Sequence, residues 1–230
     1  MTDNQPSGAL VPASTRQEVG LDIAAVVTSV VPWLGGPVSV VLGGMAAGRR
    51  YKRVSEALGG LAKDLKNFKN EASELYVKTE DFEDLLGKTL WEVAEERHEE
   101  KRRVYRAFLL DLITSPGQPY DDQVRVLRTL ELLQPDHFRI LKALRAQPEG
   151  GNGITGSPLQ TLRGRLPSMQ ETLISDLVEQ LNDLRVTSMT SLRTMMTFGG
   201  AQDLRHSITK YGERFLAYVL KADELESSAA

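Results

Sequence analysis

The sequence has no cysteine and three histidines, and aromatic residues make up 6% of its 230 residues. The absence of cysteine excludes disulfides, thiolate metal ligands and a cysteine nucleophile. The scarcity of aromatic side chains argues against a stacking platform for single-stranded nucleic acid. The net charge of −3 provides no bulk attraction to nucleic acid either. The composition therefore favours a helical globular protein over a nucleic-acid binder.

Both ends of the chain are predicted to be disordered tails. Residues 1–15 are polar and contain Pro and Ser, and Asp3 stands where a secretory signal would carry basic residues. Residues 222–230 end in a Ser-Ser-Ala-Ala run. Between them we expect a helical domain over 16–116 and a second domain over 120–221.

An uncharged segment is the most informative feature of the chain. From Ile23 to Gly48 there is no charged residue, and a basic cluster follows at once. Pro and Gly interrupt the run between Pro32 and Pro37, so each half has only about ten apolar residues, too few to cross a bilayer alone. Two interpretations remain open: a broken helical hairpin buried in a protein core, or a membrane-associated segment over 21–48, with a kinked single span as the main membrane variant.

This segment supplies the candidate contact residues for a membrane or an apolar partner. Apolar members come from both sides of the break, and the basic members lie within one helical turn of each other. The candidates are Val30, Trp33, Leu34, Val38, Val41, Arg49, Arg50, Lys52 and Arg53. The four basic residues have three functional interpretations: contact with lipid headgroups, pairing with acids of a following helix, or contact with a phosphodiester backbone. Unless the preceding segment lies in lipid, we expect a solvated helix face with partial ion pairing.

Apolar periodicity predicts three helices in the first domain. The first begins at Ser14 or Thr15, the second runs from Pro37 past Gly48 to Phe68, and the third runs from Thr79 to Leu112. The second and third are expected to pack as a long antiparallel hairpin.

The pattern changes after Tyr120. Short amphipathic helices are predicted over 121–133 and 136–144, then a glycine-rich loop over 148–157, then a helix over 169–184 capped by Ser168. A β-hairpin is predicted around Gly199-Gly200, followed by a final helix over 211–220.

Residues 136–220 resemble a winged-helix domain. The first helix reads Asp-His-Phe-Arg-Ile-Leu from Asp136, the later helix ends at Leu184, and a Thr-x-x-Gly step from Thr209 to Gly212 is similar to the one that closes many bacterial winged-helix domains. The order of elements also resembles an uncharacterised family of bacterial proteins with a Pro/Gly-broken apolar segment and a charged hairpin before such a module. The resemblance implies a fold and no activity.

Catalytic and metal-binding signatures have little support. Glu95, His98 and Glu99 have spacings that share a helix face, but this ligand set occurs only once, whereas helical carboxylate sites repeat it on a facing helix. His137 and His206 have no triad partners. The loop at Gly150 lacks the Lys-Ser/Thr of a phosphate loop. We therefore expect no catalytic residue, no metal and no cofactor, and a protein that is not an enzyme.

The predicted recognition helix is acidic, with Glu171, Asp176, Glu179 and Asp183 and no basic residue before Arg185. DNA would repel such a face, and Arg193 and Arg205 nearby are too few to reverse this. Nucleic acid is therefore an unfavoured partner.

The predicted fold class is mainly α: a broken apolar helical hairpin, a long antiparallel helical hairpin, and a winged-helix-like α+β module. The leading functional hypothesis is a non-enzymatic bacterial interaction protein, cytoplasmic or at the inner face of the cytoplasmic membrane, with an unidentified protein partner. Self-association and a role as a membrane-acting effector are both compatible with this design. The alternative is a winged-helix DNA-binding regulator that dimerises through its N-terminal helices.

Overall fold

The computed structural model describes residues 35–44, 48–67, 79–115, 117–147 and 155–227. This part of the chain is almost entirely helical, which confirms the mainly α class. Its helices are α1 Gly35–Gly43, α2 Arg49–Asn67, α3 Glu80–Glu95, α4 Glu99–Thr114, α5 Tyr120–Leu132, α6 Pro135–Arg145, α7 Pro158–Arg165, α8 Glu171–Asp183, α9 Phe198–Gln202 and α10 Lys210–Ser227. Two-residue strands, β1 Thr155–Gly156 and β2 Met196–Thr197, and a 3₁₀ turn at Arg205–Ser207 complete these elements.

The chain divides into two compact units. The first contains the described residues up to Glu95 and the C-terminal part of α4 from Leu109, and the second contains Glu96–Phe108 and the chain from Gly117 onward. The chain passes from one unit to the other at Glu95–Glu96, at Phe108–Leu109 and again just before Gly117.

Gly48 breaks the helix that was predicted to run from Pro37 to Phe68. The structure has two helices there, α1 and α2, and Gly48 precedes α2 with a φ of 154°. Glycine adopts this positive φ without the Cβ clash that other residues would meet. The uncharged segment and the basic cluster thus belong to separate helices.

The predicted hairpin of α2 and α3 is present. Both helices contribute the apolar positions expected from their periodicity, and Arg53 near the start of α2 reaches the carbonyl groups at the end of α3, so the two run antiparallel. The buried side chains of this hairpin are Val54, Leu58, Leu61, Leu65, Phe82, Leu85, Leu86, Leu90 and Val93. Burying a Leu or Phe of this kind contributes about 1.5–3 kcal/mol.

The long helix predicted from Thr79 to Leu112 is wrong in its middle, because α3 ends at Glu95 and α4 begins at Glu99. The Glu96 carboxylate accepts the backbone N–H of His98 at 2.8 Å, and Arg102 donates to the carbonyl oxygens of Glu96 and Arg97 at 3.2 and 2.8 Å. These side chains satisfy backbone groups that would otherwise need a continuous helix.

The second unit contains α5, α6 and α8 within two residues of their predicted bounds, and α7, which the sequence did not suggest. Helix α8 begins after Gln170, which makes no side-chain cap, so the cap predicted for Ser168 is wrong. Buried residues from three of its helices, α6, α8 and α10, contribute to the core: Phe138, Leu141, Ile174, Leu181, Phe215 and Val219.

The predicted hairpin around Gly199-Gly200 is wrong. Both glycines lie in α9, where the Thr197 hydroxyl caps the helix by accepting the N–H of Gly200 at 3.3 Å. Strand β2 instead pairs antiparallel with β1, with Thr155 opposite Thr197. Ile208 forms an isolated antiparallel bridge with Thr187.

The prediction of a disordered tail from residue 222 is also wrong as far as Ser227, because α10 continues to that residue. Asp223 pairs with Lys142 at 2.8 Å, and Glu226 pairs with Arg103. These ion pairs hold the last turns of α10 against α6 and α4. The tail predicted for 1–15 and the first helix predicted from Ser14 lie outside the described residues.

Candidate functional site

The uncharged helix α1 packs one face into the first unit and exposes the other. Val38 is fully buried and Leu42 nearly so, whereas the side chain of Val40 is 77% exposed and Val41 is half-buried. Val38 is therefore a core residue rather than a contact residue. Val30, Trp33 and Leu34 lie outside the described residues.

Within the described ranges, the structure contains no helix with the length and apolar character needed to cross a membrane. Helix α1 has nine residues and is thus about 14 Å long, roughly half the hydrocarbon thickness.

Two members of the basic cluster have intramolecular acceptors at the end of α3. Arg53 is half-buried and donates to the carbonyl oxygens of Ala94 and Glu95 at 2.8 and 3.1 Å. Arg50 pairs with the Glu95 carboxylate at 2.8 Å. Because helix C-termini carry unpaired carbonyls and a partial negative charge, Arg53 caps α3, and the positive charge of Arg50 is favourable at the same end. The predicted pairing with acids of the following helix is thus present for Arg50.

The other two basic residues face solvent. Arg49 is exposed, and Lys52 has a side chain that is 77% exposed and reaches Glu56 only at 3.7 Å. Arg50 also keeps 62% of its side-chain surface despite its ion pair. The cluster therefore presents three accessible positive groups just after an uncharged helix.

Trp91 is a surface residue that is not among the contact residues predicted from the sequence, which include Trp33 instead. It lies on α3 with 46% of its surface exposed, beside Lys88 on the charged face of the helix. The signal was available, because Trp91 falls outside the buried stripe of Phe82, Leu86, Leu90 and Val93.

The run from Glu95 to Arg103 does not form a metal site. The break at residues 96–98 removes the common helix face that the spacing of Glu95 and His98 assumed, and Glu95 faces Arg50 instead. Among the described residues, no group of three His, Asp or Glu side chains is placed to hold a metal ion.

Glu96 and Lys101 form a partly buried ion pair within this run. Lys101 is 4% exposed, and its ammonium lies 3.3 Å from the Glu96 carboxylate and 2.8 Å from the Glu131 carbonyl oxygen. Burial raises the pKa of Glu96, but the hydrogen bond from the His98 backbone, the charge of Lys101 and the His98 ring outweigh it and lower the pKa. The carboxylate is therefore held in its charged form.

His137 is a packing residue with a defined tautomer. It is 2% exposed, its Nδ1 accepts the backbone N–H of Gln134 at 2.9 Å, and its Nε2 donates to the Gln180 side chain at 3.1 Å. Burial lowers its pKa, and the hydrogen bonds to Gln180 and Gln134 oppose this shift only in part. No nucleophile accompanies it among these contacts, so His137 stabilises the start of α6.

The arginines that the sequence offered to DNA are paired with acids. Arg193 lies 3.5 Å from Glu171, and Arg205 forms a two-pronged contact with Asp203 at 2.9 Å. Arg205 lowers the pKa of Asp203 to about 2. On α8 the exposed stripe includes Asp176, Glu179 and Asp183, so this face is acidic.

The chain matches no protein-family model, no curated protein and no solved structure. The geometry of the two units is therefore the basis for assigning a function.

Proposed function

We propose that this protein is a non-enzymatic interaction protein that associates peripherally with an anionic membrane surface through its first unit. The observation that carries the proposal is the exposed side of α1, where Val40 is 77% accessible on a helix without a charged residue. A short helix of this kind inserts shallowly at the headgroup boundary instead of spanning the bilayer.

The basic residues that follow α1 provide the electrostatic part of the attraction. Arg49, Arg50 and Lys52 are exposed, and each basic residue near an anionic leaflet contributes about 1 kcal/mol. Either contribution alone gives weak, reversible binding, so stable association requires both the apolar insertion and the basic contact. The inner face of the cytoplasmic membrane, which is anionic, would be the natural location.

The second unit is proposed to be a protein-contact module with a winged-helix-like arrangement. The bridge between Thr187 and Ile208 and the Thr209–Gly212 step that leads into α10 favour this arrangement. The acidic face of α8 is suited to a basic protein surface and repels DNA, so the regulator hypothesis is the weaker one.

Vesicle co-sedimentation tests the membrane proposal. The full chain is mixed with vesicles of phosphatidylcholine alone or of equal parts phosphatidylcholine and phosphatidylserine, at low and high salt. We expect binding only to the anionic vesicles and a loss of binding as salt rises. Val40→Asp and Lys52→Glu should each lower the bound fraction, whereas Leu132→Asp, which alters a 60% exposed leucine of the second unit, should not.

The proposal is wrong if the wild-type chain stays in the supernatant with anionic vesicles at low salt, or if Val40→Asp binds as well as wild type. Retardation of random duplex DNA at low salt would revive the regulator hypothesis, because an acidic α8 should give none.

A further inference from the structure

A cleft of about 290 Å³ lies in the second unit, where α7 meets α9 and β1. Polar side chains and one aromatic ring line it: Gln160, Thr161, Arg165, Gln202 and Phe198. Its volume is at the lower end of the range for small-molecule sites, about 300–1,000 Å³. A ligand of small-metabolite size would fill it.

Arg165 is the charged group of this cleft, and its acceptors are all neutral. The half-buried guanidinium donates to the backbone carbonyl oxygens of Ala143, Gln147 and Gln202 at 2.8, 3.2 and 2.9 Å. Within the described part of the chain no carboxylate pairs with it. A guanidinium has five N–H groups, so two of them have no acceptor among these residues.

The neighbouring arginine shows what is unusual about Arg165. Arg163, two residues earlier on α7, lies 3.7 Å from the Glu171 carboxylate. A positive charge that is partly removed from water without a counter-charge is costly, and an anion beside it relieves that cost. The three carbonyls fix the guanidinium in place before any ligand arrives.

Gln160 provides a second donor at the same cleft. Its side-chain oxygen accepts the backbone N–H of Ser157 at 3.2 Å as part of the cap of α7. This bond orients the amide, so that its NH₂ group remains available to donate to an oxygen in the cleft. Phe198 is half-buried and adds an apolar surface.

We propose that this cleft binds a small organic anion, a carboxylate or a phosphate monoester that carries a ring or a short apolar group. Arg165 pairs with the oxyanion, Gln160 donates a further hydrogen bond, and Phe198 contacts the apolar part. An arginine suits both oxyanions because a charge-assisted hydrogen bond from a guanidinium N–H to a carboxylate or a phosphate is stronger than one to a neutral acceptor. This site does not depend on the membrane proposal, since it lies in the second unit.

Titration of the full chain with defined probes, followed by NMR and calorimetry, tests this site. Benzoate and phenyl phosphate represent the two oxyanions, benzamide is the neutral analogue of benzoate, and inorganic phosphate lacks the ring. We expect benzoate or phenyl phosphate to bind about tenfold more tightly than benzamide and inorganic phosphate, with shifts at Phe198 and Arg165.

Two variants block the cleft in different ways. Gln202→Glu places a carboxylate on a residue whose carbonyl already contacts Arg165, and Gly164→Phe fills the cleft from a position where an added Cβ meets nothing within 4 Å. Each should weaken benzoate binding about tenfold or more. Thr172→Glu adds the same charge at an exposed position of α8 outside the cleft and should leave binding unchanged.

Circular dichroism confirms that each variant is folded, and either folded variant is sufficient for the test. The proposal is overturned if neither oxyanion probe shifts the cleft residues, if benzamide binds as tightly as benzoate, or if inorganic phosphate binds as tightly as phenyl phosphate. Unchanged benzoate binding in folded Gly164→Phe would also overturn it.

Discussion

Replacing Gly212 with alanine should destabilise the second unit, although alanine is the better helix former. Gly212 lies in the first turn of α10, and a Cβ built there would overlap the carbonyl oxygen of Val186 and come 3.0 Å from the Ile208 side chain. Such a contact requires a backbone shift of more than 1 Å, because a carbon and an oxygen pack at about 3.5 Å or more.

The size of the effect follows from three contributions. Helix propensity favours alanine over glycine by about 1 kcal/mol. Overpacking typically costs about 1–3 kcal/mol. The shift also strains the Thr209 hydroxyl, which lies 2.7 Å from the Arg185 carbonyl oxygen, 3.1 Å from that of Val186, and accepts the Gly212 N–H at 2.9 Å. The hydroxyl has one proton, so one donated and one accepted hydrogen bond are lost, at about 1 kcal/mol each, and we expect a net loss of roughly 2–4 kcal/mol.

The matched control is Gly164→Ala on α7, where an added Cβ meets nothing within 4 Å. Propensity alone acts there, so this variant should gain up to about 1 kcal/mol. Urea denaturation followed by circular dichroism, with hydrogen exchange of the α10 amides, measures both variants. The reasoning is refuted if Gly212→Ala is as stable as wild type or more stable, since propensity would then outweigh the contact with Val186.

Three further predictions concern single side chains. Arg185 has a φ of 58°, a conformation that is strained for a residue with a Cβ. Arg185→Gly removes this strain but adds the entropic cost of glycine, and the net rise in the free energy of unfolding should be about 0.5–1 kcal/mol in urea titrations. Arg53→Met should lower the free energy of unfolding of the first unit by about 1–2 kcal/mol, followed by tryptophan fluorescence. Lys52→Met, at an exposed position, should change it by less than about 0.5 kcal/mol. Because burial lowers the pKa of His137, the unfolded chain binds its proton first, and stability should fall as the pH drops below about 6.5. His137→Gln, which retains an acceptor for the cap, should flatten that part of the urea midpoint profile, and an unchanged slope would contradict this assignment.

Apolar periodicity was sufficient to predict the α2–α3 hairpin and the bounds of α5 and α6. In each of these helices the buried face repeats at the helical period, so local pattern and tertiary packing agree. The breaks at Gly48 and at 96–98 were missed for a different reason. Gly48 permits a helix as well as a turn, and the N–H donor that caps the end of α3 comes from Arg53, which is 41 residues away from Ala94.

The prediction of a β-hairpin was wrong because the sequence Thr-Phe-Gly-Gly is compatible with two local structures. Glycine pairs favour two-residue turns between strands, but a preceding threonine also caps a helix. Thr197 caps α9, and its strand partner is Thr155, which is distant in sequence. Sequence alone could not choose between the two, since the deciding partner is not local.

The arginines of the candidate sites also have contacts that the sequence alone does not predict. Arg53 caps α3, Arg205 pairs with Asp203, and Arg165 donates to carbonyl groups of the described residues, although all three are the same residue type. A sequence gives the number of charges, and the tertiary fold decides which of them already have a counter-charge. The count of basic residues near α1 therefore overstates the charge available to a membrane, whereas the net charge of the chain does not reveal that Arg165 has no carboxylate partner among the described residues.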